Sequence, residues 1–420
     1  MNKTILPGAR TGEVHIPASK SQAHRMLLCA AMGENEVTLR CRGLSKDILA
    51  TVACLKALGA SVDAEGEVLH LRPVSAPPPG LCLLPCGESG STLRFLLPLV
   101  GALGASAVFE REGRLPERPI EPLSRELCRN GMDIRSDGAR LYCSGQLRPG
   151  AFSLPGNISS QYISALLMTL PLLEGESTLH MEGALESAAY VAMTEEVLRL
   201  GGVRTEKTGA GYRIPGGQRC RFAPELSVEG DYSNAAFFLC AGALSERGIR
   251  VTGLDPRSRQ GDRAIVPLLE EMGAQVASDG SSVTVKRAAL HGITIDASPI
   301  PDLIPVLSVV AAAASGETRV IHAQRLRLKE SDRVVSVLAL LKALGVEAHE
   351  QGGVMTIRGR GGFTGGTVDA FGDHRIAMAA AIAGSVADGP VTILGAHASD
   401  KSYPGFFEKF AALGGRAEEE

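Results

Sequence analysis

Basic residues recur in this chain where apolar, helix-like runs begin. Lys20 opens one such run, and Ser21 and Arg25, four apart, share a face of its first turns. In Arg325–Arg333 (RLRLKESDR) an alternating stretch turns helical near Ser331, so Lys329, Glu330 and Arg333 cluster at a helix start. Arg375 follows Asp373-His374 at another start, Lys401 follows Asp400, and Arg118 lies in the Pro-flanked loop Arg114–Pro119. Arginine forks bind carboxylate or phosphate through paired N–H bonds, and lysine acts on phosphate as a point charge. Several of each at helix N-termini suit a doubly anionic small substrate, or two anionic substrates. Two carboxylates stand among these cations, Asp302 before the apolar run Leu303–Ala314 and Glu330 between Lys329 and Arg333. A carboxylate in a basic pocket can exchange protons with a bound substrate. Each residue also has a plainer reading. The cations are solvated surface, Asp302 is a helix cap, Glu330 is a structural ion-pair partner and His374 is a hydrogen-bonded structural histidine. The Gly-rich Gly87–Ser91 is only a weak phosphate-loop signal, and no Lys follows it as a Walker motif requires.

The elements that must carry these residues form two series in step. Six segments close on a Leu-x-x-Leu-Gly type of ending: Leu55–Ala60, Leu127–Met132, Leu198–Val203, Leu269–Ala274, Leu341–Val346 and Ala412–Gly415. A Gly there stops a helix in the left-handed conformation that other residues adopt at a cost. Six polar clusters open helices at a matching interval, at Ser19–Ser21, Ser89–Thr92, Ser159–Gln161, Asp231–Asn234, Pro301-Asp302 and Asp373–Arg375. Ser, Asp and Asn cap the free N–H groups of a first turn, and that end of the helix dipole favours anions. The repetition predicts six copies of one supersecondary unit. Short β-like runs lie between the helices, including Val68–Arg72, Arg140–Cys143, Ser282–Val285 and Val354–Ile357. The order read per unit is strand, helix, strand, strand, helix, strand, an α/β arrangement with helices against mixed sheets.

A chain of 420 residues is long for one core, so two domains of three units are expected. The midpoint falls at Glu229-Gly230-Asp231. The expected division is 1–15 with 230–420, a domain containing both termini, and an inserted domain of 16–229, with the active site in the cleft between them. The strand at Gly12–Pro17 fits either half. A formal net charge of −3 argues against bulk nucleic-acid binding. Nine scattered Cys without metal-like spacing suggest free thiols in a reducing compartment. The N-terminus lacks the apolar core of a signal peptide, and apolar runs such as Phe95–Phe109 are interrupted by Pro98, Gly101 and Gly104. A cytoplasmic protein without membrane contact is expected.

Four segments together resemble one family. Lys20-Ser21-x-x-x-Arg25, Ser159–Leu167 (SSQYISALL), Arg327–Arg333 (RLKESDR) and Asp373–Ala379 (DHRIAMA) are similar to the 5-enolpyruvylshikimate-3-phosphate synthases, and the resemblance extends from Lys20 to Tyr403-Pro404. It implies a two-domain inside-out α/β barrel of six repeated βαββαβ units. It implies transfer of the enolpyruvyl group of phosphoenolpyruvate to the 5-hydroxyl of shikimate 3-phosphate with release of phosphate, without metal or organic cofactor, by a monomer. Carried over by motif, Ser21, Arg25, Ser159, Ser160, Ser187 and Lys329 hold shikimate 3-phosphate, and Gln161 lies between the two substrates. Lys20, Gly90, Arg118, Arg333, Arg375 and Lys401 bind phosphoenolpyruvate. Lys20 and Asp302 also meet shikimate 3-phosphate. Asp302 takes the proton of the attacking hydroxyl, and Glu330 exchanges the proton at the methylene carbon with help from Lys20.

Two positions depart from the family pattern: Glu88 and Arg325 stand where Asn is usual, with Ser91 for Thr. A carboxylate near the phosphate of phosphoenolpyruvate must point away, pair with a cation or weaken that substrate. Gly90 is retained, so glyphosate fits beside it while sensitivity stays open. The sister transferase acting on UDP-N-acetylglucosamine has a reactive Cys in a mobile loop, and Arg111–Pro119 contains none. A non-catalytic scaffold gripping polyanions does not explain carboxylates set among the cations.

Overall fold

The computed structural model describes residues 1–419. Among them the helices come in six pairs: α1 (Lys20–Ala31) and α2 (Lys46–Ala57), α3 (Gly90–Ala102) and α4 (Glu121–Arg129), α5 (Ser160–Thr169) and α6 (Ala188–Leu200), α7 (Tyr232–Ala243) and α8 (Ile265–Glu271), α9 (Ile304–Ala313) and α10 (Arg333–Ala343), α11 (His374–Gly384) and α12 (Phe406–Ala412). The second helix of every pair is followed by a left-handed glycine. Gly59, Gly131, Gly202, Gly273, Gly345 and Gly414 have φ between 75° and 106°, as the repeated endings require. Five first helices are capped by a side chain, from Ser19, Ser89, Ser159, Asp231 and Asp373. The exception is α9. Its cap is Leu303, which makes no side-chain cap bond, and Asp302 is used elsewhere.

Each repeat builds a four-stranded sheet of one order. In the second repeat Leu81–Gly87 runs parallel to Ser106–Arg111. That strand is antiparallel to Arg140–Gly145, which pairs in turn with Met132–Asp137. The order along the chain is therefore strand, helix, strand, helix, strand, strand, not the βαββαβ order read from sequence. The physical reason is the parallel pair. Parallel neighbours need a helical crossover between them, while the antiparallel last pair is joined by a tight turn, here at Gly138 with φ 55°.

The chain forms two compact units, Met1–Pro17 with Glu229–Glu420, and Ala18–Val228. Strand pairing crosses the sequence to close each. Gly12–His15 precedes α1 but pairs with Ile249–Thr252, and Glu225–Ser227 precedes α7 but pairs with Val37–Arg40. Lys3–Leu6 completes the last sheet between Val391–Leu394 and Arg416–Glu419. Each unit has its own hydrophobic core. The first helices α1, α3 and α5 pack on one another in one core, and α7, α9 and α11 in the other. These are buried nearly all round, whereas α2 buries only the stripe Asp47, Ile48, Thr51, Cys54 and Leu55. Eight of the nine Cys are buried free thiols and Cys128 is exposed. No helix of the described residues is long and apolar enough to cross a membrane.

Candidate active site

In the unit holding both termini, the starts of α9, α10 and α11 meet at one guanidinium. Arg333 is fully buried and each of its nitrogens faces a different carboxylate. Nε donates to Asp373 at 2.9 Å, Nη1 to Asp302 at 2.6 Å and Nη2 to Glu330 at 2.7 Å. Arg375 adds a second fork. Its Nη1 donates to the Asp302 carbonyl at 3.1 Å and its Nη2 lies 3.2 Å from Asp302 Oδ2. Lys329 Nζ lies 3.7 Å from Asp302 Oδ1. Both carboxylate oxygens of Asp302 thus face cations from three directions, which overturns its reading as a helix cap. Asp373 does cap its helix, accepting the Arg375 N–H at 2.9 Å while Ser331 donates to its other oxygen at 3.0 Å.

The charges shift one another. Burial alone would raise the Asp302 carboxyl, but Arg375, Lys329 and Arg333 outweigh it and hold the group well below the usual carboxylate range. Burial lowers the Lys329 ammonium, with Asp302 opposing and Arg333 and Arg325 adding to the effect. Burial also opposes the charge of Arg333, yet Asp373, Glu330 and Asp302 keep it firmly protonated. A further carboxylate, Asp262, is buried beside this cluster. Burial, then the charge of Asp302, push it up to about 7. Lys401 ends a 3-10 turn (Ala396–Lys401) that Asn234 of α7 anchors by donating to the Ser402 carbonyl at 3.3 Å.

The unit Ala18–Val228 holds the other residues at the starts of α1, α3, α5 and α6. Lys20 Nζ donates to Asp47 of α2 at 2.9 Å. Gln161 bridges two helices: its Oε1 accepts from Arg94 Nη1 at 2.6 Å and its Nε2 donates to Ser91 Oγ at 2.9 Å. Arg94 Nη2 and the Tyr162 hydroxyl both donate to the Pro119 carbonyl, fixing the loop that carries Arg118. Gly90 lies under both guanidiniums, and a Cβ there would sit 3.0 Å from Arg118 Nη1 and 3.2 Å from Arg94 Nη1. Ser160 is buried, and Ser159 caps α5 through the Gln161 N–H. Ser187 begins α6 with φ 54° and ψ 41°, a left-handed conformation that a non-glycine residue holds only under strain. Glu88 is exposed and reaches over Gly113, where a Cβ would come within 2.7 Å of its carboxyl carbon.

Arg25, expected to hold shikimate 3-phosphate, also holds its own unit together. It is buried, lies 5.0 Å from the Phe95 ring centroid, and donates to Thr194, Ser164 and the carbonyls of Ser21 and Tyr190. Burial lowers it to about 10. Four of its five N–H donors are thereby used, so it ties α1, α5 and α6 together and offers a ligand little more than one N–H.

With this geometry in place, comparison with known proteins decides the family. The family described as EPSP synthase (3-phosphoshikimate 1-carboxyvinyltransferase) matches residues 7–410. The chain belongs to the EPSP synthase family. It is 39% identical to the 3-phosphoshikimate 1-carboxyvinyltransferase of Clostridium acetobutylicum over 422 residues, 99% of this chain and 98% of that protein. It is 37% identical to that of Methanocorpusculum labreanum over 415 residues, 98% of each. The solved EPSP synthase of Acinetobacter baumannii superposes with a TM-score of 0.83 at 26% identity over the whole of both chains. The enolpyruvyl transferase NikO of Streptomyces tendae matches at TM-score 0.81 and 21% identity, covering 99% of this chain and 98% of that one, a likeness of fold alone.

The motifs that resembled EPSP synthases supply most of both clusters, but sequence reasoning missed Arg94, Asp47 and Asp262 and left Asp373 as a cap. Arg94 had a signal, since it lies four residues after Gly90 on the same face of α3. Asp47 in the first turn of α2 and Asp262 in a 3-10 turn had none beyond an acidic residue near a helix start.

Proposed function

We propose that this chain transfers the enolpyruvyl group of phosphoenolpyruvate to the 5-hydroxyl of shikimate 3-phosphate and releases phosphate, the shikimate-pathway step toward chorismate and the aromatic amino acids. The observation that carries the proposal is the pair of carboxylates, Asp302 and Glu330, held on the single guanidinium of Arg333. The reaction needs two proton transfers. The methylene carbon of phosphoenolpyruvate gains a proton, which leaves its neighbour cationic, and the 5-hydroxyl loses one as it attacks. The tetrahedral adduct then loses the methyl proton and the phosphate to give the enol ether.

In this reading Glu330 serves the methylene carbon, assisted by Lys20, and Asp302 serves the hydroxyl. Without substrate, Asp302 is a poor base because three cations hold its charge. Anionic substrates compete for Arg375 and Lys329, and each contact they take returns basicity to Asp302. The base is therefore activated when both anions arrive, which protects phosphoenolpyruvate from premature reaction. Lys20, Gly90, Arg118, Gln161, Arg333, Arg375 and Lys401 receive phosphoenolpyruvate. Lys20, Ser21, Arg25, Ser159, Ser160, Gln161, Ser187, Asp302 and Lys329 receive shikimate 3-phosphate. Both sets act in one reaction, by a monomer in the cytoplasm.

The test is phosphate release from phosphoenolpyruvate, with shikimate 3-phosphate or UDP-N-acetylglucosamine as acceptor. Release with the first alone is expected. Release with the second alone assigns the chain to the sister reaction. Asp302→Ala should keep both KM values within about threefold and lower kcat by about two to four orders of magnitude. Wild-type turnover in that variant would remove Asp302 from the mechanism.

A further inference from the structure

Behind the helix starts that carry Lys20 and Gly90 runs a chain of buried hydrogen bonds that the proposed reaction does not use. His24 lies in α1, Thr51 in α2 and Thr92 in α3, while Ser89 caps α3; none is more than 1% exposed. His24 Nδ1 is 2.7 Å from Thr51 Oγ1, and Thr51 Oγ1 is 2.7 Å from Thr92 Oγ1. Thr92 Oγ1 is 2.7 Å from Ser89 Oγ and 3.4 Å from the Asp47 carbonyl. The carboxylate of the same Asp47 holds Lys20.

Counting protons fixes the direction of this chain. The Asp47 carbonyl can only accept, and the geometry at Ser89 Oγ has the Thr92 hydroxyl as donor and Ser89 as acceptor. The one hydroxyl proton of Thr92 goes to these acceptors, so Thr51 must donate to Thr92. The proton of Thr51 is then used, so His24 Nδ1 must donate to Thr51. His24 Nε2 is buried with no hydrogen-bond partner. The opposite tautomer would strand an N–H there and turn every hydroxyl away from the Asp47 carbonyl, and a buried unmet donor is costly.

We infer that His24 is a positioning residue. As the Nδ1–H tautomer it heads a one-way chain through Thr51 and Thr92 to Ser89, which holds the starts of α1, α2 and α3 in register. Lys20 and Gly90 ride on those starts, and Arg118 rests on Gly90. The chain therefore sets the half of the site proposed to receive phosphoenolpyruvate. Burial pushes His24 down to about 3, with Asp47 opposing and Lys20 and Arg25 adding to it, so the ring stays neutral and the direction does not reverse.

Two measurements on the full chain test this. The first is a ¹⁵N–¹H correlation of histidine-labelled protein, with His24→Asn identifying the resonance. One ring should carry its proton on Nδ1, with Nε2 bare, unchanged between about pH 5 and about pH 9. A proton on Nε2, or a titrating ring, overturns the inference. The second is kinetic, and it alone rests on the reaction proposed above. Thr92→Val should raise KM for phosphoenolpyruvate about tenfold while KM for shikimate 3-phosphate stays within about twofold. Thr92→Ser, which keeps the hydroxyl, should restore the wild-type value. Equal rises in both KM values, or a Thr92→Ser variant as impaired as Thr92→Val, mean a merely structural role and overturn it. A wild-type chain that releases no phosphate would defeat the proposed reaction, and the tautomer measurement would still decide the direction of the chain.

Discussion

Replacing Asp262 by Asn should change how stability depends on pH. Asp262 is buried, accepts the Ser233 hydroxyl on Oδ2, and has no hydrogen-bond partner on Oδ1. Burial and the negative charge of Asp302 push its carboxyl up to about 7, against the pull of Arg375 and Ser233. An unfolded aspartate titrates near 3.9, so the folded state holds this proton more tightly by about 3 pH units, on the order of 4 kcal/mol. Because the folded pKa is the higher one, this contribution is complete below about pH 4. It is lost progressively as pH rises to about 7, and is absent above that. Asn is neutral at every pH and its amide oxygen still accepts from Ser233. The assay is urea unfolding of wild type and Asp262→Asn at a series of pH values. The difference should be small near pH 4 and should grow in favour of the variant up to about pH 7, by a few kcal/mol, with m unchanged. Parallel stability profiles would refute the reasoning, because they would mean that Asp262 titrates as an ordinary carboxylate.

Other outcomes follow from the same contacts. Asp302→Asn removes the charge that helps raise Asp262, so the Asp262 resonance in a carboxyl ¹³C titration should move to a midpoint below about 7. Gly90→Ala puts a methyl within 3.0 Å of Arg118 Nη1 and 3.2 Å of Arg94 Nη1. Both cations must shift, so KM for phosphoenolpyruvate should rise about tenfold in steady-state kinetics. Ser187→Gly relieves the left-handed strain at φ 54° and should stabilise the fold by up to about 1 kcal/mol in thermal unfolding, while raising KM for shikimate 3-phosphate. Among the helix stops, Gly202 has open space where a Cβ would go, and Gly202→Ala should cost only the left-handed penalty of about 1 kcal/mol. Gly131→Ala should cost more, since its Cβ would lie 2.5 Å from the Gln146 carbonyl.

What the sequence made legible had a local cause. A left-handed stop requires Gly, so Gly59 through Gly414 announce themselves one by one, and their interval gives the repeat. Ser19, Ser89, Ser159, Asp231 and Asp373 are legible as caps because a cap bonds within its own first turn. Asp302 has the same look and a different use, because its partners Arg333 and Arg375 lie 31 and 73 residues away. Ion pairs between helix starts leave no period in a sequence. The order of strands within a repeat was misread for a related reason. A short run such as Ser106–Arg111 looks alike whether its neighbour is joined by a turn or by a helix, and only the pairing with Leu81–Gly87 distinguishes them. The resemblance to EPSP synthases named the residues proposed to meet the substrates but not their supports. Arg94, Asp47 and the chain from His24 to Ser89 are visible only once α1, α2, α3 and α5 are packed.

The most direct test of the central claim follows the transferred carbon itself. Phosphoenolpyruvate labelled with ¹³C at the carbon bearing phosphate is incubated with the protein and shikimate 3-phosphate, and the mixture is observed by carbon NMR. The account predicts that the label moves into an enol ether on the 5-oxygen of shikimate 3-phosphate as free phosphate appears in equal amount. Label that stays in phosphoenolpyruvate, passes to pyruvate, or moves only when UDP-N-acetylglucosamine is the acceptor would contradict it.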